Sequence, residues 1–189
     1  MRYETAIRAS EEFLAALDPA GVCARTGALW DGGKYLIPWF GNLTPLDAGE
    51  GAERVLWTHY LTSEGAGTQA GRLIAYRDLR GAGFYEPKFN ERAVRPLEKC
   101  FGMRPELLEA AGAAVSGGAA GGLGDASVTL RPLPRLPITY VIWRGDDELP
   151  PAGMILFDGS ASGWLPAEDL TVLASIGAYK LIAAAGRAG

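Results

Sequence analysis

The sequence predicts an α+β fold in which antiparallel strands pack against several helices within a single domain, residues 1–189. Some segments repeat apolar residues at helical spacing, and others alternate them as strands do. The two kinds of segment do not follow the regular β-α-β order of a parallel sheet. The length of 189 residues is close to that of one domain, and 48% hydrophobic with 21% charged residues is typical of globular chains.

The first part of the chain predicts two helices followed by a hairpin meander. An amphipathic helix covers residues 3–17, and Asp18-Pro19 begins a short second helix that Gly27 ends. Strand-like segments follow, separated by turn residues, at positions 28–30, 35–40 and 43–46. We expect these three strands to form an N-terminal sheet.

The middle of the chain predicts mainly helices. Residues 52–63 are apolar nearly all round, which indicates a buried helix, and residues 72–76 indicate a short strand. A helical stripe over residues 89–100 is expected to kink at Pro96 and to end at Gly102. A further helix begins at Pro105.

A glycine-rich segment divides this helical part from a second group of strands. Residues 116–124 contain five glycines and few side chains that could build a core, so we predict a mobile surface loop there. Apolar residues at 128–130, 138–142 and 154–157 follow strand patterns. Pro166 opens a last helix, with Glu168 and Asp169 in the first turn, where the helix dipole favours acidic residues.

The charge balance and the cysteine content exclude several classes of protein. Lysine and arginine number 18 against 22 aspartate and glutamate, and there is no long basic run, which argues against a nucleic-acid partner. No apolar stretch reaches the ~20 residues that span a bilayer, and the first residues lack an apolar signal segment. With Cys23 and Cys100 far apart, these features predict a cytoplasmic protein that binds no membrane.

His59 is the only histidine, and it lies beside Tyr60 on the predicted buried helix. An imidazole titrates near neutrality and can ligate a transition metal, so His59 is a candidate ligand for a metal or cofactor. The other interpretation is a hydrogen-bonded core histidine, which the apolar surroundings favour.

The densest group of charges is the segment Trp143-Arg144-Gly145-Asp146-Asp147-Glu148. Its three consecutive carboxylates could hold a divalent cation or serve as acid and base, and the alternative is a solvated acidic turn. Trp143 favours a site, since aromatic side chains beside charges often line one. Arg92 is a candidate partner for a carboxylate or for an anionic ligand.

Short motifs along nearly the whole chain resemble one prokaryotic family, domain of unknown function 3786. The resemblance runs from about residue 3 to residue 181 and rests on motifs that occur in the family's order. They are His59-Tyr60-Leu61, Tyr76-Arg77-Asp78, Phe89-Asn90-x-Arg92, Gly124-Asp125-Ala126-Ser127, Trp143-x-Gly145-Asp146-Asp147-Glu148-x-Pro150, Ile155-Leu156-Phe157 and Ala167-Glu168-Asp169-Leu170.

This resemblance implies a link to metallocofactors. Members occur largely in anaerobic bacteria and archaea, and some carry a four-cysteine iron-sulfur domain similar to that of corrinoid iron-sulfur proteins. The two cysteines of this chain cannot hold such a cluster, so we expect none here. We expect a ligand- or metallocofactor-binding accessory protein for a corrinoid or haem, with five candidate contact residues: His59, Tyr60, Tyr76, Arg92 and Trp143.

Two other functions stay open at the level of the sequence. One is an enzyme that uses Asp146, Asp147 and Glu148, with a divalent cation as metal cofactor. The other is an interaction module that presents tryptophan and tyrosine side chains to a protein partner. The sequence does not decide whether the protein is an enzyme.

Overall fold

The computed structural model describes residues 2–116, 119–120 and 122–187, and side chains within 8–115 and 122–187. The helices are α1 to α7, in order Arg2–Ala15, Pro19–Thr26, Gly51–Thr62, Glu86–Phe89, Arg95–Phe101, Glu106–Ser116 and Ala167–Ala185. The strands are β1 to β8, in order Leu29–Asp31, Lys34–Trp39, Asn42–Pro45, Leu73–Ala75, Ala119–Ala120, Ala126–Leu133, Leu136–Trp143 and Ala152–Asp158.

The strands form two antiparallel sheets, which confirms the predicted α+β class. The first sheet has the order β1-β2-β3, as the hairpin meander predicted, and the second has the order β4-β8-β7-β6-β5. The backbone N–H of Phe40, after β2, donates a hydrogen bond to the carbonyl of Pro132 in β6. This bond links the end of the central strand of the small sheet to the large sheet.

The predicted mobile loop at 116–124 is wrong at two positions. Ala119 and Ala120 form a short strand that pairs with Thr129 and Val128 of β6. Backbone pairing needs no side chain, so this strand forms in a segment that contributes nothing to the apolar pattern. Residues 117, 118 and 121 lie outside the described residues.

The last helix, α7, crosses the large sheet at Tyr140. The hydroxyl of Tyr140 donates a hydrogen bond of 3.0 Å to the carbonyl of Ala174. Gly177 lies against the same hydroxyl, and a Cβ atom at this position would collide with it. Gly112 makes a similar close approach between α6 and Val128. Small residues therefore set how closely both helices approach the sheet.

The helical run that contains α4 and α5 includes a π-helical segment, Asn90–Val94. Pro96 has no N–H to donate to the carbonyl of Arg92, so the α-helical ladder is interrupted before it. The N–H of Arg95 donates instead to the carbonyl of Asn90, five residues back. At the predicted kink at Pro96, the structure thus has a widened, π-helical turn. The helix ends at Gly102 as expected.

Buried apolar residues from both sheets and from every described helix form one cluster, which includes Leu14, Ile37, Leu56, Leu97, Phe157 and Leu181. The single-domain organisation stays a prediction. None of the described helices combines the length and the apolar character that crossing a bilayer requires.

Candidate functional site

The clearest pair of chemically active side chains joins α3 to the first turn of α7. Nδ1 of His59 lies 2.6 Å from Oδ2 of Asp169, across a sequence separation of 110 residues. Asp169 is buried, with 8% of its surface exposed, whereas 36% of the His59 side chain remains accessible. His59 is therefore hydrogen-bonded on one side and open to solvent on the other.

The start of α7 is held in place by hydrogen bonds to a buried tyrosine. The hydroxyl of Tyr76 donates to the carbonyl of Ala167 at 2.9 Å and accepts from the hydroxyl of Thr171 at 2.7 Å. Asp169 occupies the first turn between these two residues, where the helix dipole favours a negative charge. These contacts fix the carboxylate that His59 meets.

The pair also shifts the pKa of the imidazole. The hydrogen bond to Asp169 raises the pKa of His59 above its ordinary value, partial burial opposes this rise, and the charge of Asp169 adds to it. A carboxylate oxygen only accepts, so Nδ1 carries the hydrogen. In the described part of the chain, Nε2 forms no hydrogen bond. The arrangement leaves one ring nitrogen available to a ligand or a proton.

Tyr60 has a structural role in the core rather than a place beside the open face of His59. Its hydroxyl donates to the carbonyl of Thr26 at 2.6 Å and accepts the N–H of Arg135 at 3.2 Å. Burial raises the pKa of Tyr60, although the contacts with Arg135 oppose this rise. Tyr60 thus connects α3 to α2 and to the turn before β7.

Tyr76 and Arg92 both lie beside α7. The ring of Tyr76 is buried and stacks on Phe89, with centroids 3.9 Å apart and planes 9° apart. Arg92, in the π segment, lines a groove that also contains Val172, three residues after Asp169. His59, Tyr76 and Arg92 therefore surround the first half of α7, although only His59 and Arg92 present groups to solvent.

The acidic turn lies elsewhere and is fastened to other elements. The Asp146 carboxylate accepts the N–H groups of Glu148 and Leu149 at 2.9 and 2.7 Å. The hydrogen bonds from Leu149 and Glu148 lower the pKa of Asp146. Asp147 and Glu148 are exposed. Among the side chains within 8–115 and 122–187, no three histidine, cysteine, aspartate or glutamate residues form a group that could hold a metal ion.

Trp143 ends β7 beside this turn, with 38% of its surface exposed. The following residue, Arg144, donates its backbone N–H to Asp125 and forms an ion pair of 2.8 Å with Glu106. Within the described residues, no hydrogen bond or ion pair connects Trp143 or the acidic turn to His59 or to α7. The structure does not bring the two groups of predicted site residues together.

Asp169 is the residue of the candidate site that sequence reasoning missed. Its motif, Ala167-Glu168-Asp169-Leu170, contributed to the family resemblance, but we explained its charge by the helix dipole alone. A carboxylate in the first turn of one helix and a lone histidine on another is a signal for a pair. Their separation of 110 residues hides it from any local pattern.

The fold and the site define an α+β protein with a carboxylate-oriented histidine on its surface. The family comparison identifies it further: the model of the domain of unknown function (DUF3786) matches residues 18–180, and the chain belongs to this family. This match confirms the resemblance. No curated protein and no solved structure matches the chain.

Proposed function

We propose that the protein is a binding protein for a metal-containing macrocycle, a corrinoid or a haem, and that Nε2 of His59 is the protein's ligand to the metal. The observation that carries the proposal is the 2.6 Å contact between His59 and the buried Asp169. Histidines that ligate metals usually donate their other ring N–H to such a carboxylate, which fixes the tautomer and makes the free nitrogen more basic.

The class of ligand follows from the number of donors. One imidazole cannot hold a bare transition-metal ion firmly, and in the described ranges His59 belongs to no group of three side chains that could hold one. A macrocycle would supply four ring ligands to its metal, so a single protein side chain, such as the imidazole of His59, would suffice to hold it. His59 fits this requirement, with Asp169 as its supporting group.

The family resemblance and the cysteines support a cellular role for such a protein. The resemblance to proteins of anaerobes supports a role in anaerobic metabolism, as an accessory protein that holds or hands over a cofactor. Cys23 and Cys100 are both free thiols, which is compatible with a reducing cytoplasm.

The test is a spectral titration with two macrocyclic complexes, aquacobinamide and ferric haem. We expect the absorption bands of at least one complex to shift on binding. His59→Ala should abolish the shift, and added imidazole should restore part of it. Circular dichroism of the variant serves as the control for folding. Absence of a shift with both complexes, or an equal shift with His59→Ala, would overturn the proposal.

A divalent-cation enzyme at Asp146, Asp147 and Glu148 has less support, because Asp146 already accepts hydrogen bonds within its own turn. Calorimetric titration with Mg²⁺, Mn²⁺ and Ca²⁺ tests it, and heat that is lost in Asp147→Asn and Glu148→Gln would favour it.

A role as interaction module is supported by Phe84. This large apolar side chain is 87% exposed, so packing in the core does not account for it. Loss of a co-purifying protein in Phe84→Ser would favour that function.

A further inference from the structure

A groove runs along the exposed side of α7, between α3 and the π segment. Its volume is about 520 Å³, within the range of small-molecule sites. Arg92 lines it from the π segment and Glu53 from α3, while Lys180 lines it from α7 and Arg187 from just beyond that helix. The groove contains none of the residues that orient His59.

The charges in this groove are unbalanced. Three cations face one carboxylate, although the whole chain carries a net charge of −4. Within the part of the chain that the structure describes, none of these four side chains forms an ion pair with another residue. Elsewhere the same protein pairs exposed charges, as in Lys34 with Asp47 at 2.7 Å and Lys88 with Glu91 at 3.1 Å. The groove therefore has positive charge available for an anion.

The cations are positioned by features of the fold. The π segment, which contains Arg92, packs on α7. The ammonium of Lys180 lies over the ring of Phe40, 5.0 Å from its centroid. This contact holds the Lys180 side chain while leaving its hydrogen-bond donors available.

The floor of the groove between the cations is mainly apolar, and the hydroxyl of Ser175, which also lines it, donates to the carbonyl of Thr171. Val172, Ile176 and Ala183 line it, together with Tyr179, which is 56% exposed. These residues repeat at helical spacing on one side of α7, so they form a continuous stripe. An apolar stripe with cations along it matches a molecule that has an apolar body and an anionic group.

We propose that this groove binds one amphipathic anion, with a phosphate or carboxylate head contacted by Arg92 and Lys180 and an apolar body on the stripe of α7. The groove is open to solvent along α7, and its volume is that of one small molecule. A free amphiphile and a lipid headgroup in a bilayer share this chemistry, and we assign the groove to the free molecule. The proposal is independent of metal binding by His59.

Octyl phosphate below its micellar concentration is the probe, and octyl glucoside and octyltrimethylammonium are matched probes with neutral and cationic heads. We expect octyl phosphate to bind in calorimetry, to shift the amide NMR signals of residues 172–183, and to lose affinity at 0.5 M salt because exposed charges are screened. The matched probes should bind at least about tenfold more weakly, since they lack charge-assisted hydrogen bonds.

Arg92→Gln should weaken octyl phosphate binding about tenfold, because it removes one charged partner of the head group. Arg95→Gln is the matched control, since Arg95 is exposed on the same helical run but does not line the groove. His59→Ala should leave this affinity unchanged. Equal affinities for the three probes, or equal losses in Arg92→Gln and Arg95→Gln, would overturn the proposal. So would binding to phosphatidic acid vesicles without binding of octyl phosphate.

Discussion

At the scale of single residues, our proposed function depends on the contact between His59 and Asp169. The contact holds the ring by one nitrogen and leaves the other exposed. A free histidine on a helix would change its tautomer and orientation freely, whereas this one presents Nε2 in a defined direction.

Replacing Asp169 by asparagine tests this contact through its pH dependence. The pKa of His59 should fall towards its ordinary value, because an amide cannot stabilise the imidazolium charge as a carboxylate does. The folded-state pKa is raised, so the pair's contribution to stability is complete below the unfolded pKa of about 6.5 and is lost as the pH rises through the folded pKa.

The measurements are NMR titration of the ring protons and denaturant unfolding of both proteins at pH 5.5 and pH 8.5. The free energy of unfolding should differ more between wild type and Asp169→Asn at pH 5.5. An unchanged His59 pKa in Asp169→Asn would contradict our account of the pair.

Asp158 is a second buried carboxylate, and the hydrogen bonds that it accepts have a structural role. It is 5% exposed and accepts the N–H groups of Ala70, Gly71 and Ser160 and the hydroxyl of Ser160. Burial raises the pKa of Asp158, but the hydrogen bonds from Ser160, Ala70 and Gly71 outweigh this effect and lower it. Its contribution to stability is therefore present above the unfolded pKa and is lost as the pH falls.

Asp158→Ala should destabilise the protein by about 2–4 kcal/mol, because it leaves two or more donors without their acceptor. Amide exchange at Ala70 and Gly71 should become faster, since these groups lose their protection. Asp147→Ala is the control, because Asp147 is exposed and makes no hydrogen bond among the described residues. Similar unfolding midpoints for the two variants would show that Asp158 does not hold this loop.

At the scale of elements, close packing of α7 on the sheet depends on Gly177. Gly177→Ala should cost about 1–3 kcal/mol, because the new Cβ collides with the hydroxyl of Tyr140. Gly186→Ala is the matched control, since a Cβ there makes only ordinary contacts. Thermal unfolding measures both. Adding Tyr140→Phe should recover part of the loss in Gly177→Ala, and no recovery would point to another cause.

The sequence predicts some of the strands and helices but not others. Strands β6 and β7 follow from alternating apolar residues that lie in the buried core, β8 follows from a short apolar run, and the meander follows from the turn residues between its strands. Strand β5 leaves no such trace, since backbone pairing alone defines it. The π segment has a cause visible in Pro96, but a proline can kink a helix in several ways, and the packing on α7 selects this one.

The sequence likewise identifies only some residues of the candidate site. His59 is identifiable from its chemistry, and Arg92 from its charge and motif. Their common neighbour, α7, is not identifiable, because it comes from residues far along the chain. Tyr60 and Tyr76 look identical to exposed tyrosines in a motif, yet burial and hydrogen bonds give both a structural role.

At the scale of the whole molecule, one cluster of buried residues includes both sheets and all the helices. Such a core should unfold as a unit. We predict one cooperative transition in guanidinium chloride, with coincident midpoints by tryptophan fluorescence and by far-ultraviolet circular dichroism. Trp39 and Trp57 report on the small sheet and α3, and Trp164 on the region before α7. Two separate transitions would divide the chain into independent domains.

The separation of the two partners, His59 and Asp169, also has a consequence during protein synthesis. At about 5–20 residues per second, the ribosome needs roughly 6–22 s to add the 110 residues after His59 that end with Asp169. During this interval His59 has been translated but its carboxylate has not, so the imidazole retains the properties of an ordinary histidine. A nascent chain therefore cannot present an oriented His59 before the last helix has been made and has docked.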